Sequence, residues 1–487
     1  MLKEKKKFYI TTSIAYTNAP PHIGFALESI QADVIARYQR FLGKDVFFLT
    51  GTDEHGIKIA KAAAKIGKSP KKFCDEISKK YKQLKKSLNL SNDYFIRTTD
   101  QKKHWPSVRK VWLKLKEKGD IYKKKYWGLY CSGCEAFITK KDLVNGKCAI
   151  HQKEPELIKE ENYFFRLSRY QEEIEELITK DKIRIIPASR KNEILSFINQ
   201  GLGDISFSRL RKDLKWGIPV PDDKSQTIYV WTDALLNYIS ALDYARESKN
   251  FKKYWPADIH CIGKDILRFH ATIWPGMLLS LGLPFPKIIF VHGFITVGGQ
   301  KISKSLGNII DPFELVKKYG TDAVRYFLLR EIPPTEDGDF TYEKFEKRYN
   351  SDLSAGLGNL LARVINITQK PKAMITNQEL QKEINDTGEK YKKALDEFKF
   401  NEVLSSIWNL ISFCDRYIEK ERPWEKSDRQ SLIINDLVFT LANIAKLLQP
   451  FLPETSEKIL CQLGIRVSDK ECLFNIEKGK PLFPKLN

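Results

Sequence analysis

The stretch that most constrains the fold is Ile10-Thr11-Thr12-Ser13-Ile14-Ala15-Tyr16-Thr17-Asn18-Ala19-Pro20-Pro21-His22-Ile23-Gly24. Residues Phe8 to Ile14 are β-branched or aromatic enough for a buried strand, the paired prolines forbid helix, and Gly24 permits close backbone approach. From near Phe25 a helical pattern follows, with Ile30, Val34, Ile35, Tyr38, Phe41 and Leu42 on one apolar face. The order is strand, loop, helix N-terminus. Free N–H groups at such a helix end attract phosphate, and His22 would add a donor. Taken alone, the Pro-Pro-His segment reads equally well as a plain turn.

A second stretch, Val297-Gly298-Gly299-Gln300-Lys301-Ile302-Ser303-Lys304-Ser305-Leu306-Gly307-Asn308, places two lysines three apart among serines, between glycines. Point charges and hydroxyls on such a loop suit a polyphosphate, although a solvated basic loop has the same composition. Together, His22-Ile23-Gly24 after the first strand and Lys301-Ile302-Ser303-Lys304-Ser305 after the last resemble the two signatures of class I aminoacyl-tRNA synthetases, in the same order.

A chain of 487 residues is too long for one core, so two to four domains are expected. Lysine and arginine outnumber aspartate and glutamate 82 to 61, a net +21 that points to a polyanionic partner unless it reflects coding bias. The N-terminus is basic without an apolar signal core, and no stretch is read as approaching a membrane span. A soluble, cytoplasmic protein with no membrane partner is therefore expected, its eight cysteines reduced or metal-bound.

Asp45 to Thr50 reads as a second strand, with Asp53 in the turn at its carboxyl end, where parallel sheets collect ligand groups. Asp53 would there face a substrate ammonium, or it would cap the helix starting near Ile57. Helical patterns follow over Ile57–Ile66, Pro70–Leu88 and Gln101–Lys118. Cys131-Ser132-Gly133-Cys134 and, thirteen residues on, Cys148-Ala149-Ile150-His151 have the spacing of a tetrahedral zinc knuckle. Cys131, Cys134, Cys148 and His151 would leave no open position, so a structural Zn2+ is expected; disulfides or coincidence are the alternatives. Cys74, Cys261, Cys414, Cys461 and Cys472 fall in apolar patterns and are expected in the core. Further strands are expected at Thr227–Trp231, Asp258–Ile262 and Lys287–Val291.

Tyr16, Asp53 in Gly51-Thr52-Asp53-Glu54-His55-Gly56, Trp231 in Tyr229-Val230-Trp231-Thr232-Asp233-Ala234, and Ile266 with His270 resemble the amino-acid pocket of the methionyl-tRNA synthetase family, through almost the whole chain. The resemblance implies that Asp53 holds the methionine ammonium while Ile14, Tyr16, Trp231, Ala234, Leu235, Tyr238, Ile266 and His270 enclose its side chain. It further implies that His22 and Gly24 sit on ATP, that Gly263 and Asp265 contact its nucleoside, and that Lys301, Ser303 and Lys304 take the phosphates with Mg2+. Asn359, Arg363 and Trp424 match the family's contacts to the anticodon of tRNA(Met). A lone Trp is also explained by bundle packing.

The implied reaction is attack of the methionine carboxylate on the ATP α-phosphate, then transfer of the acyl group to the terminal adenosine of tRNA. Positioning and electrostatics carry such a reaction, without a covalent enzyme nucleophile. One departure stands out: the family usually has a second histidine where this chain has Phe25. An unreplaced preorganised donor is worth about 10²–10³ in rate.

The expected architecture is a doubly wound parallel α/β sheet: residues 1–116 its first half, 117–225 a connective insertion with the zinc knuckle, and 226–300 its second half. Residues 301–340 form the lysine loop and linking helices, and 341–487 an all-α anticodon-binding bundle, with helical patterns near 342–369, 379–399, 401–421 and 429–449. No further domain is read after the bundle, so a monomer is expected. Sister enzymes for leucine, isoleucine, valine or cysteine, and a non-catalytic tRNA- or nucleotide-binding relative, are the competing readings.

Overall fold

In the computed structural model, which describes residues 5–131, 136–138, 143–149, 152–302, 307–368, 375–465 and 480–486, the first strand runs over Lys7–Tyr16 (β1). Then come Ile23–Phe41 (α1), Asp45–Asp53 (β2), Ile57–Lys65 (α2), Pro70–Ser87 (α3), Tyr94–Arg97 (β3) and Trp105–Glu117 (α4). Strands Ile121–Cys131 (β4) and Glu156–Phe165 (β5) pair antiparallel, and are followed by Arg184–Ile186 (β6), Val230–Leu235 (α5), Ile259–Gly263 (β7) and Ile288–His292 (β8). Six of these strands make one sheet in the order β3-β2-β1-β7-β8-β6. Its registered pairs β1–β2, β2–β3, β1–β7 and β6–β8 are all parallel.

The chain divides into two units, the first comprising residues up to Pro21, Gln39–Lys85 and Ser91–Val291, the second His22–Tyr38, Lys86–Leu90 and everything from His292. The first unit is held by a continuous apolar cluster that includes Tyr9, Trp112, Phe165, Phe207, Tyr238 and Trp274, all at most 1% exposed. Phe165 stacks on Phe207 with ring centroids 4.8 Å apart, a flat contact that adds to simple area burial.

The second unit contains a small sheet of Ile295–Val297 (β9), Gln300–Lys301 (β10) and Gly338–Phe340 (β11), with Pro312–Tyr319 (α6) and Thr321–Arg330 (α7) between β10 and β11. Its helices continue through Asn359–Ile367 (α8), Gln378–Asp396 (α9), Phe400–Glu421 (α10), Gln430–Leu448 (α11) and Pro453–Gln462 (α12). Arg325 of α7 is fully buried and pairs with Asp33 of α1 at 2.9 Å. Its remaining donors go to the carbonyls of Phe451, Leu88 and Pro450. A buried guanidinium is tolerated only when its donors are satisfied in this way.

Several expectations are corrected. Trp231 is not in a strand: pairing stops at Ile228, and Asp233 N–H bonds Tyr229 O at 3.1 Å to start α5. A short apolar run fits a strand and a buried helix equally. The helix expected from Gln101 starts at Trp105, because the Asp100 carboxylate accepts from Lys102 and Lys103 N–H and makes a turn there. Arg184–Ile186, inside the expected insertion, is an edge strand of the large sheet. The run expected at 342–369 is interrupted by wide π-turns over Tyr349–Gly358. Cys461 is exposed, since Ile459 and Leu460 take the inward positions of α12; Cys472 lies outside the described residues. By length and composition α11 is apolar enough to cross a membrane, unlike the expectation, and most of it is buried within its unit.

Candidate active site

In the first unit the candidate residues gather at the carboxyl ends of strands, where polar backbone groups of a parallel sheet are free to meet a ligand. The β1–β2 register pairs Tyr16 with Asp53, after an irregularity between Thr11 and Ile14 that resets the direction of the strand's end. Asp53 does not cap α2, whose N-cap is Gly56 without a side-chain bond. Its buried carboxylate instead lies 3.4 Å from the His55 N–H and 3.4 Å from the Thr98 hydroxyl. The Tyr16 ring has the Lys58 ammonium 5.8 Å from its centroid.

The other candidates come from α5, the helical turn after it and the segment after β7. Trp231 stacks on Phe269, centroids 3.7 Å apart and planes within 6°. Ala234, Leu235 and Tyr238 are buried, and Ile14 and Ile266 pack against the core. The Tyr238 hydroxyl is 2.7 Å from His270 Nε2, while His270 Nδ1 is 3.0 Å from Ile266 O. A carbonyl only accepts, so Nδ1 carries the proton and Nε2 takes the Tyr238 hydroxyl hydrogen. Behind them His260, fully buried, is held well below the ordinary histidine pKa by desolvation. Its ring lies 4.1 Å from that of Tyr238, so a neutral imidazole backs the wall. A π-helical turn over Phe269–Ile273 widens the helix where Phe269 and His270 project. Gly263 ends β7 and Asp265 lies in the 3₁₀ turn that follows.

In the second unit His22 precedes α1, and the Gly24 N–H donates to His22 Nδ1 at 3.0 Å. Nδ1 is then unprotonated and Nε2–H is the ring's donor; burial lowers the His22 pKa and keeps it neutral. A Cβ at position 24 would lie 2.8 Å from His22 Cε1. The expectation of free N–H groups at this helix end is corrected. Ile23 N–H goes to Ile310 O at 3.1 Å, Gly24 N–H to His22, and Phe25 N–H to His22 O at 3.0 Å. Donation here falls to the imidazole. β9 and β10 are joined by Gly298 and Gly299, with φ of 59° and 75°, a tight hairpin whose left-handed backbone favours glycine. Asp339 accepts from Gly299 N–H at 2.7 Å and the Thr296 hydroxyl at 2.8 Å, holding this turn. Lys301 is exposed on β10; Ser303 and Lys304 lie outside the described residues.

Residues 8–142 and 131–365 match the family model described as class I tRNA synthetases (M), and 377–477 that of the anticodon-binding domain of tRNA ligase. The methionine–tRNA ligase of Thermotoga maritima is 43% identical over 99% of this chain and 80% of its own length. That of Clostridium perfringens is 45% identical over 99% of this chain and 78% of its own. The solved Mycobacterium tuberculosis methionyl-tRNA synthetase, in complex with methionyl-adenylate, superposes with a TM-score of 0.93 at 36% identity, covering 98% of this chain and 100% of that one.

The chain belongs to the methionyl-tRNA synthetase family.

Two further features of this methionyl-tRNA synthetase chain bear on function. Cys131 at the end of β4 and Cys148 in a small hairpin are buried thiols; Cys134 and His151 lie outside the described residues. Among the described residues no three His, Cys, Asp or Glu side chains gather as a metal site. At the bundle, Asn359 opens α8 and is exposed. Arg363, one turn on, is tied to α10 by Glu419 at 2.5 Å and Asp415 at 3.5 Å. Trp424 is 50% exposed, just past the left-handed Arg422 that ends α10. The sequence motifs missed Phe269 and Thr98. Phe269 was available as the aromatic beside His270, whereas Thr98 is brought to Asp53 only by the pairing of β2 with β3.

Proposed function

We propose that this chain activates methionine with ATP and transfers it to tRNA(Met), and that the candidate residues divide the work as follows. Asp53 faces the ammonium of methionine. Ile14, Tyr16, Trp231, Ala234, Leu235, Tyr238, Ile266 and His270, with Phe269 added, enclose the thioether. A thioether offers no strong hydrogen bond, so it is selected by shape and by contact of sulfur with ring edges. The observation that carries the reading is a set of rings, Trp231 stacked on Phe269 and Tyr238 joined to His270, in the same unit as the buried carboxylate of Asp53.

His22 Nε2–H and the cations Lys301 and Lys304, with Ser303, stabilise charge on the ATP phosphates as the methionine carboxylate attacks the α-phosphate and pyrophosphate leaves. Gly24 leaves room for the imidazole, and Gly263 and Asp265 hold the nucleoside. Mg2+ bound with ATP would neutralise phosphate charge. Asn359, Arg363 and Trp424 read the anticodon by hydrogen bonds to base edges and by stacking, the means by which unpaired loops are recognised. Cys131, Cys134, Cys148 and His151 fit a structural Zn2+: four donors of the right softness, two of them buried thiols at the ends of a strand and a hairpin. A monomer working in the cytoplasm completes this reading.

The test is ATP–pyrophosphate exchange with a panel of amino acids, on protein whose zinc has been measured. Exchange should depend on methionine and metal analysis should find one zinc per chain. Exchange with leucine, isoleucine, valine or cysteine but not methionine, or none at all, would overturn the activity; a metal-free active preparation would remove the zinc.

A further inference from the structure

One carboxylate outside the assigned pocket links its two sides. Asp233 is 1% exposed and lies on α5, two residues after Trp231 and directly before Ala234. Its Oδ2 is 2.6 Å from His55 Nδ1 and its Oδ1 is 2.7 Å from His104 Nε2. His104 Nδ1 is in turn 2.7 Å from the Ser240 hydroxyl. An ionised carboxylate only accepts, so both imidazoles turn an N–H toward it; the Ser240 hydroxyl, which also reaches Asn237 O at 3.3 Å, supports the far side of the His104 ring. Burial alone would raise the pKa of Asp233, but His55 and His104 bring it below the ordinary carboxylate value, so it stays charged.

The two histidines lead back to Asp53. His55 follows it by two residues, and its backbone N–H is 3.4 Å from Asp53 Oδ1. His104 precedes Trp105, whose indole N–H donates to Thr98 O at 3.0 Å, and the Thr98 hydroxyl is 3.4 Å from the same Asp53 oxygen. A buried charge costs free energy that an apolar residue of similar size would not, so its retention calls for something it holds in place. Here it holds the helix bearing Trp231, Ala234 and Leu235 against His55, two residues past the end of β2 that bears Asp53.

We propose that Asp233 is a positioning residue for methionine, setting the separation between the carboxylate that meets the ammonium and the rings that enclose the side chain. This rests on the methionine-pocket reading above. Asp233 itself touches no substrate. Its influence falls on methionine binding and leaves the ATP side of the reaction alone.

The experiment is pyrophosphate exchange by wild type and Asp233→Asn, with methionine and ATP varied separately. The Asn amide must turn an N–H toward one of the imidazole N–H groups, so one tie is lost. KM for methionine should rise about tenfold or more, the scale of one lost hydrogen bond to a buried charge, with KM for ATP and kcat within about twofold. Equal rises in both KM values, a fall in kcat alone, or no change would overturn the proposal. Ser240→Ala, which removes only the outer support of His104, should raise KM for methionine about threefold and nothing else; an unchanged KM there overturns it even if Asp233→Asn fails to fold. Wild type that does not respond to methionine would instead defeat the pocket reading.

Discussion

Trp231 lies face to face with Phe269 at 3.7 Å, whereas Trp424 leaves half of its surface exposed just past the end of α10. The same contrast runs through their neighbours. Tyr238 and His270 are joined at 2.7 Å within the protein, while Arg363 is held by Glu419 and Asp415 on the bundle surface, ion pairs that a base or phosphate can replace at small cost. A thioether side chain is met by packed rings; an RNA loop needs faces left open. On the function proposed above the two tryptophans serve different steps, and their substitutions should separate.

The largest effect is expected for Trp231→Ala. Truncating a packed aromatic costs about 3–5 kcal/mol where the cavity cannot collapse, so methionine-dependent exchange should fall at least a hundredfold by kcat/KM, and aminoacylation with it. Unchanged exchange would show that the wall is decorative. Trp424→Ala comes next. Loss of one base stack is worth about 1–3 kcal/mol, which should raise KM for tRNA in aminoacylation while exchange without tRNA stays at the wild-type rate. Parallel loss of both activities would erase the distinction between the two sites.

The smallest effect concerns pH and tests whether the neutral histidines are as buried as their surroundings imply. His22 and His260 have pKa values lowered by burial, so below about pH 6.5 the unfolded chain binds protons that the folded one refuses. Stability is then fully present above the unfolded value and falls as pH drops, by about 1.4 kcal/mol per pH unit for each such group. Urea midpoints measured from pH 7.5 to 5.5 should decrease; a flat profile would mean that these rings protonate freely in place.

The elements with clear periodicity were legible: β1, β2 and α1 run close to where their patterns put them. The motif around Trp231 is clear but its element is not, because four consecutive apolar or aromatic residues carry no period and fit a strand where the structure has a helix. β6, three residues long and far from its sheet neighbours in sequence, left no local signal at all. The local sequence leaves Asp53 open between cap and ligand; the structure removes the cap, since Gly56 is the N-cap of α2. The links from Asp233 to His55 and His104 span 178 and 129 positions, and pairings of that range are made by topology, which no single window of sequence contains.

The 2.8 Å that would separate a Cβ at position 24 from the His22 ring has a consequence for how the first signature can vary. Even a methyl group there would push the imidazole aside and swing its outward hydrogen away from the direction the neighbouring amide imposes. At position 25, by contrast, the tie to His22 is a backbone one, Phe25 N–H to His22 O at 3.0 Å, which any residue but proline supplies. The aim of the motif's imidazole thus depends on a position where a single hydrogen atom is the largest substituent that fits.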